Sequence, residues 1–307
     1  MAILRLELGD GPLRTHHQHL LNTALKRGTE APERRPDDVL EGTYSPDALR
    51  LARGNWRRRI LHEHQSSAVF SGLLPFLVEG EAGLEFKTAV LRYAMDELRH
   101  SGLCAQVVEL LDGDPLIEAD LSIQALPSHS DCTRVEAALR NVLFTSLSET
   151  ISVALLTEER GRAKEPFIQR VLDQLAGDEI SHARFGWLYL REVWSTLDSS
   201  AQERTQRYLP VALGHLEAYM LQAMPLHPIA APLLAEAQQL GFSDSETARS
   251  LLYDTIDAVI LPGLASVGLE AHSAWENRRG PAVDRAEPVP APAQTTPKSD
   301  SDAPGAD

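Results

Sequence analysis

A short motif, Asp-Glu-x-x-His, occurs twice in this chain: Asp96-Glu97-x-x-His100 and Asp178-Glu179-x-x-His182. In a helix, the Glu and His of such a motif project from one face, so both can bind the same metal ion. With 25 Glu, 19 Asp and 11 His among 307 residues, Glu-x-x-His alone is expected about once by chance. The form preceded by Asp is expected only about 0.05 times. The repeated longer motif therefore indicates two helices that present metal ligands.

A lone glutamate precedes each motif inside an apolar helical stretch. Glu63 lies in RILHEHQSSAVF, 34 residues before Glu97, and Glu149 lies in LFTSLSETISVALL, 30 residues before Glu179. In an antiparallel helical hairpin, residues at the same height are equally distant from the turn. The midpoint between Glu63 and Glu97 is Gly80. The midpoint between Glu149 and Glu179 falls between Gly161 and Pro166, and glycine and proline favour turns. The spacing predicts two hairpins that bring all four glutamates to one level.

Apolar residues recur with helical spacing between residues 45 and 275, without a convincing strand alternation. The spacing and the cap signals, which include Ser45-Pro46 and a capping box at 243–246, predict the helix boundaries. We predict helices over residues 45–80, 83–111, 131–161 and 166–198, a fifth from 199, and a last one from the capping box. Residues 113–130 are helix-poor and long enough to cross between hairpins. The sequence thus predicts an all-α protein with a long crossover and additional C-terminal helices.

The two ends of the chain differ in composition from the middle. Residues 1–44 are predicted to be an N-terminal extension and connector, and residues 45–275 the helical domain. Residues 276–307 are rich in Pro, Ala, Ser and Asp, which predicts disorder because such a segment buries too little apolar surface. The extension contains three clustered histidines, interpreted as surface residues: His16, His17 and His19.

Charge and composition exclude several classes of protein. The formal net charge is −15 with an isoelectric point near 5.2, so the surface repels phosphate backbones and anionic lipid. The two cysteines, Cys104 and Cys132, exclude a disulfide framework and favour a reducing compartment. The N-terminus lacks the features of a secretory signal, and no apolar stretch approaches the roughly 20 residues of a membrane span. We predict a cytoplasmic protein that binds neither nucleic acid nor membrane.

The order Glu, Asp-Glu-x-x-His, Glu, Asp-Glu-x-x-His resembles the ferritin-like di-iron carboxylate superfamily. This superfamily includes acyl-carrier-protein desaturases, bacterial multicomponent monooxygenases, the radical-bearing subunit of ribonucleotide reductase, rubrerythrins and bacterioferritins. The resemblance covers about residues 45–198 and is specific for the site rather than for a substrate. It implies a ferritin-like four-helix bundle. By position it implies one iron ion held by Glu63, Glu97 and His100, and a second held by Glu149, Glu179 and His182, with Glu97 and Glu179 as bridging ligands.

The ligand types agree with this assignment. Four carboxylates match the charge of two Fe²⁺ ions, and without metal they would repel one another and take up protons. Oxygen-rich ligation with one imidazole per ion suits iron, with manganese as an alternative at one position. The resemblance further implies that Asp96 accepts a hydrogen bond from His182, and Asp178 one from His100. Ser152 lies where desaturases carry a hydroxyl, which implies a role in proton delivery.

Two functions are compatible with this predicted site. The first is a non-haem di-iron enzyme that activates O₂ to oxidise a small apolar or amphipathic organic substrate, by hydroxylation, N-oxygenation, desaturation or a related reaction. It would use an electron-donor protein or another reductant, and a homodimer is compatible with it. The alternative is an iron-binding, ferroxidase or storage protein, which the more than 100 residues after residue 198 disfavour because cage-forming subunits are compact. Hydroxylation of tRNA is disfavoured by the negative charge.

Overall fold

Four long helices carry the residues selected above: α1 (Pro46–Glu79), α2 (Leu84–Leu110), α3 (Arg134–Arg162) and α4 (Pro166–Trp194). The structure is a computed structural model that describes residues 2–4, 34–122 and 125–280. Helix α1 packs against α2, and α3 against α4; the two pairs meet through contacts of α1 with α3 and of α2 with α4. The prediction of a mostly helical protein is confirmed.

Local sequence signals explain where the long helices begin. Ser45 caps α1 by accepting a hydrogen bond from the amide of Ala48, and Pro46 occupies the first helical position. Helix α3 begins with a capping box: the Thr133 hydroxyl accepts from the Glu136 amide, and the Glu136 carboxylate accepts from the Thr133 amide. The sequence prediction placed this start a few residues earlier, because the box was not recognised.

The connections between the long helices agree with the predicted spacing. Residues 80–83 join α1 to α2, and residues 163–165 join α3 to α4. The connection between the hairpins, residues 111–133, is without helix in its described part and contains the short strand β2 (Ile117–Ala119). This strand pairs antiparallel with β1 (Ala2–Leu4). The sequence analysis missed the pair because three-residue strands are too short to show an alternating pattern.

Further helices follow the four long ones: α5 (Ser199–Ala223), α6 (Ala231–Gln238), α7 (Ser245–Thr255), a π-helical turn (Ile256–Ile260), α8 (Leu261–Val267) and α9 (Ala271–Glu276). Helices α5 and α7 pack on α3, and α6 packs on α1. The predicted capping box from Ser243 does not form. Asp244 caps α7 instead, by accepting a hydrogen bond from the amide of Thr247 at 2.9 Å. Because the cap is one residue later, Glu246 no longer occupies the third helical position that a box requires.

The continuous helical run Ser245–Val267 corrects the prediction that no apolar stretch is long enough to cross a membrane. Among the described residues it is the one helix with sufficient length and apolar character, with 23 residues, a mean hydropathy of 1.3 and 33% of its most apolar window buried. A single run of this kind is weak evidence for a membrane span, because core helices of soluble proteins meet the same criteria.

The C-terminal segment is folded slightly further than the sequence predicts. Glu276 ends α9, and Arg278 forms a two-pronged ion pair with the buried Glu217 of α5, with N–O distances of 2.8 and 3.0 Å. The predicted disordered tail therefore begins after these contacts at the earliest. Its residues 281–307 lie outside the described residues, as does the cluster His16, His17 and His19.

Two apolar clusters fill the space between the long helices, one above and one below the level of the predicted ligands. The first includes Phe70, Leu73, Val90, Leu147 and Phe185. The second includes Trp56, Ile60, Leu103, Val107 and Leu172. The indole N–H of Trp56 donates to the Leu240 carbonyl at 2.8 Å, so this buried polar group is satisfied. The layer between the clusters is polar, and it contains the candidate site.

Gly186 of α4 lies where α3 and α4 approach each other closely. A Cβ atom at this position would be 2.1 Å from the Cβ atom of Ser146. We expect Gly186→Ala to lower the free energy of unfolding by about 1–3 kcal/mol through overpacking, measured by chemical denaturation. Gly177→Ala is the control on the same helix, because a Cβ there meets nothing within 4 Å. It should be neutral or stabilising by up to about 1 kcal/mol; equal destabilisation by both would contradict the close approach.

Candidate metal centre

All six predicted ligands lie in the interior at the same level of the four long helices. Helix α1 contributes one glutamate, α2 a glutamate and a histidine, α3 one glutamate, and α4 a glutamate and a histidine. Their ligand atoms form two groups, in each of which all atoms lie within 4.8 Å of one another: Glu63, Glu97, His100 and Glu179, and Glu97, Glu149, Glu179 and His182. Glu97 and Glu179 belong to both groups, so the two groups share two carboxylates.

The Nδ1 atom of each imidazole faces the carboxylates. Nδ1 of His100 lies 3.5 Å from an oxygen of Glu63, 3.6 Å from one of Glu97 and 3.5 Å from one of Glu179. Nδ1 of His182 lies 3.1 Å from Glu97 Oε1 and 3.2 Å from Glu179 Oε2. Each imidazole nitrogen is thus surrounded by oxygens from several helices, which is the arrangement of co-ligands around an ion.

The distances between the ligand atoms, and the buried atoms that lack hydrogen bonds, are compatible with bound cations. Ligands about 2.1 Å from a divalent ion lie about 3.0–3.4 Å apart, close to the separations found here. Neither carboxylate oxygen of the buried Glu97 accepts a hydrogen bond, although Nδ1 of His182 lies near, and Nδ1 of His100 also lacks a partner. Buried polar atoms are rarely left unpaired. A cation between these atoms would satisfy all of them.

An aspartate lies behind each imidazole, on the side away from the glutamates. Asp178 Oδ2 forms a hydrogen bond with Nε2 of His100 at 3.0 Å, whereas Asp96 Oδ2 lies 3.6 Å from Nε2 of His182, too far for a hydrogen bond. An imidazole that donates its Nε2–H to a carboxylate keeps the lone pair of Nδ1 for a metal ion. The pairs are those that the sequence analysis assigned across the two motifs, each aspartate facing the histidine of the other helix. Their effect on metal binding stays a prediction.

Arg99 connects these two aspartates, and the sequence analysis missed it. Its NH2 atom lies 2.7 Å from Asp178 Oδ2 and 2.8 Å from Asp96 Oδ1, and the side chain is buried. Arg92 also donates to Asp96, at 2.9 and 3.0 Å, and Gln174 to Asp178 at 2.6 Å. Arg92 and Gln174 each precede their aspartate by four residues, a helical spacing that could have indicated the contacts. The bridging role of Arg99 depends on two helices meeting, which the sequence does not show.

The four glutamates differ in pKa because burial, like charges and the imidazoles act on each of them to a different extent. Burial, and next the charge of Glu179, raise the pKa of Glu97 to about 7. The same causes raise the pKa of Glu149 well above its usual range. Burial also disfavours the charged forms of Glu63 and Glu179, but the neighbouring imidazoles outweigh it and lower the pKa of both. The four carboxylates therefore ionise together less readily than free glutamates do, and a bound cation would favour the fully ionised state.

The remaining predicted residues lie around this cluster without belonging to the two ligand groups. Ser152 is half-buried on α3, one turn beyond Glu149, and its role in proton delivery stays a prediction. Cys104 is buried one turn beyond His100, and burial raises the pKa of its thiol. It is therefore a neutral packing residue rather than a thiolate.

Aromatic rings cover one side of the cluster. Tyr93 lies against the imidazole of His182 with a centroid distance of 4.4 Å, and Phe70 contacts the same ring at 5.0 Å. Phe86, nearer the start of α2, packs edge-on against Phe185 with a centroid distance of 5.7 Å. Phe144 lies elsewhere, facing Tyr219 of α5 at 6.4 Å.

Comparison with known proteins assigns no family to this chain. No model of a known protein family matches it, and a search of the curated proteins finds no significant match. The function therefore has to be inferred from the side chains themselves.

Removal of a carboxylate that orients an imidazole should weaken metal binding. We expect Asp178→Ala to lower the affinity for divalent metal by about 10–100-fold, measured by competition with a chelator, because His100 loses the acceptor that fixes its tautomer. Asp173→Ala is the control on the same helix, where the carboxylate is exposed and pairs with Arg160. An unchanged affinity in Asp178→Ala would reject the orienting role.

The affinity for metal should rise with pH. Glu97 and Glu149, whose pKa values are raised by burial, have to lose their protons before they bind an ion. The same holds for His100 and His182, whose pKa values are raised because neighbouring carboxylates outweigh the effect of burial. Calorimetric titration with Mn²⁺ in two buffers of different ionisation enthalpy gives the number of protons released. We expect about one or more protons per chain near pH 6 and fewer near pH 8. Metal binding without proton release at either pH would contradict this account.

Proposed function

We propose that this chain is a cytoplasmic, ferritin-like non-haem di-iron protein that activates O₂ to oxidise a small apolar or amphipathic organic substrate. The observation that carries the proposal is the sharing of Glu97 and Glu179 between the two ligand groups. Two shared carboxylates, with one more carboxylate and one imidazole for each group, form a donor set for two adjacent ions rather than for one. In this proposal the four long helices form a ferritin-like four-helix bundle.

The chemistry of the donor set supports iron. Each group offers three carboxylates and one imidazole, and the sum of four carboxylate charges equals the charge of two divalent cations. Oxygen-rich sites with imidazole suit iron or manganese, whereas thiolate ligands select zinc and other softer ions. The buried Cys104 is not a member of either group. Iron at both positions, or manganese at one of them, therefore matches these residues.

The protein contributes positioning and protection, while a bound di-iron centre would supply the redox chemistry with O₂. Glu63 and Glu149 each belong to one of the two ligand groups. Asp178, which accepts a hydrogen bond from Nε2 of His100, would keep this imidazole in the metal-binding tautomer. The apolar clusters above and below the site exclude water. Exclusion of water protects a reactive oxidant from side reactions.

The ligands of α1 and α3 keep slight contact with solvent. Glu63 and Glu149 are each 7% exposed, whereas both histidines are fully buried. On this side Tyr219 of α5 packs near Phe144 and lies 3.2 Å from Nε2 of His62. O₂ and a small substrate would enter here, past an aromatic and partly polar rim. Such a rim suits an apolar or amphipathic molecule and supports hydroxylation, N-oxygenation, desaturation or a related oxidation.

Anaerobic loading with Fe²⁺ followed by mixing with O₂ tests the proposal. We expect two iron ions per chain and a transient change in visible absorption in stopped-flow measurements, without growth of an iron mineral. Continued iron uptake beyond two ions per chain would favour storage instead. Failure to bind iron at all would overturn the di-iron assignment.

Two glutamate variants test whether carboxylates are shared. Glu97 belongs to both ligand groups and Glu63 to one, so Glu97→Ala should abolish binding of both ions, whereas Glu63→Ala should weaken one. Iron per chain after gel filtration gives the measurement. Glu109→Ala, an exposed position on the same helix as Glu97, is the control and should retain two ions. Loss of a single ion in Glu97→Ala would contradict the shared arrangement.

A further inference from the structure

A groove of about 670 Å³ lies between α2 and α4. Its wall on α2 runs from Leu84 to Asp96 and consists of residues at intervals that share one face of a helix. This wall is about 18 Å long, and Asp178 and Ser181 of α4 line the groove as well. None of the six candidate metal ligands is among the lining residues. The groove therefore has the size of a small-molecule site and is separate from the ligand groups.

Negative charge exceeds positive charge in this groove. Glu85, Asp96 and Asp178 line it, and Arg92 is the one cation among the described residues that do so. Arg92 donates to both oxygens of Asp96, at 2.9 and 3.0 Å, so these two charges compensate each other. If Arg99, which pairs with both aspartates, is counted too, three carboxylates face two guanidinium groups. The groove is thus complementary to a cation and unfavourable for an anion.

One oxygen of Asp178 lacks a hydrogen-bond donor. Three side chains bond to this carboxylate, and all of them contact Oδ2: Arg99, His100 and Gln174. No donor from the described part of the chain bonds to Oδ1. Asp178 is only 7% exposed, and buried carboxylate oxygens usually accept a hydrogen bond. Because Asp178 lines the groove, an N–H group of a molecule bound there would supply the missing donor.

The two motifs differ in the residue that precedes the histidine, which is Arg99 in the first motif and Ser181 in the second. Arg99 reaches the aspartate of the other motif, with its NH2 atom 2.7 Å from Asp178 Oδ2. Ser181 has the corresponding position on α4, but its side chain is short, and it lines the groove. The groove therefore lies where a second cationic side chain would extend toward Asp96. Guanidinium and ammonium groups are the usual partners of such carboxylates.

We propose that this groove binds an organic ammonium ion with an apolar body. The ammonium group donates to Asp178 Oδ1, and the apolar body lies along Leu84 and Ala89, which line the groove together with Tyr93. An aromatic ring near a cation adds a favourable contact. The inference does not rest on the proposed function, because the groove needs no bound metal ion to attract an ammonium group.

Three probes that share a six-carbon chain and differ in charge test the proposal: n-hexylammonium, 1-hexanol and hexanoate. Isothermal titration calorimetry on the full chain near pH 7 gives their affinities. We expect one hexylammonium site per chain, with an affinity at least tenfold higher than that for 1-hexanol and lower at high salt. Hexanoate should not bind. Absence of hexylammonium binding, or equal binding of the alcohol or of hexanoate, would overturn the proposal.

Two variants that fill the groove locate the site. Ser181→Arg places a guanidinium group in the groove, and Thr88→Phe places a ring in it, because both residues line it. Each should lower the affinity for hexylammonium by about tenfold or more. Circular dichroism shows whether each variant is folded, and Thr88→Phe, at an exposed position, decides the outcome if Ser181→Arg does not fold.

Matched variants serve as controls for the two substitutions. Ser181→Ala leaves the groove open and should keep the affinity of the parent protein. Thr157 is an exposed helical threonine whose hydroxyl donates to the carbonyl four residues earlier, as that of Thr88 does, so Thr157→Phe should have no effect. Ser71→Arg adds the same charge as Ser181→Arg at an exposed position of α1 and should also retain binding.

The controls separate a defined site from general attraction to a chain of net charge −15. Parental affinity in Thr88→Phe, or in a folded Ser181→Arg variant, would show that hexylammonium binds outside the groove and would overturn the proposal. A loss in Ser71→Arg as large as that in Ser181→Arg would assign the effect to net charge and would overturn it too.

Discussion

Repulsion among four buried carboxylates is the constraint that the rest of this structure has to satisfy. Two unit charges about 4 Å apart interact by about 4 kcal/mol at an effective dielectric constant of about 20. Apolar clusters above and below the layer keep water from screening the charges. Burial, and next the charge of Glu179, raise the pKa values of Glu97 and Glu149. Cations would remove the conflict, because two divalent ions would balance four carboxylates and would also contact oxygens that lack hydrogen bonds.

Ion pairs connect the residues that lie outside the histidines. Arg99 holds Asp96 and Asp178 together through ion pairs of 2.8 and 2.7 Å, and these aspartates face the imidazoles. A buried guanidinium between two carboxylates is stable because each charge is compensated by a neighbour. The groove between α2 and α4 is lined by both aspartates, whereas Glu63 and Glu149 lie on α1 and α3. The site therefore has two different sides, one connected by ion pairs and the other formed by carboxylate ligands.

Most of the fold could be predicted from patterns along the chain. Helical spacing, Ser45-Pro46 and the positions of the turns gave the four long helices within a few residues, since caps and turn residues act locally. The errors in the predicted helix starts also have local causes. The Thr133–Glu136 capping box was overlooked, and the α7 cap is Asp244 rather than Ser243. The strand pair β1–β2 joins segments over a hundred residues apart, so no local pattern could indicate it.

The sequence by itself determined which six side chains come together. The repeated motif and the equal distances from each turn already place four residues at one height: Glu63, Glu97, Glu149 and Glu179. The reason is that residues equally distant from the turn of a helical hairpin lie side by side. Tertiary structure decided what surrounds them: the bridging of both aspartates by Arg99, the cover of Tyr93 over one imidazole, and the groove between α2 and α4. These contacts join different helices, and their existence depends on how the helices rotate and pack, which periodicity along one helix does not specify.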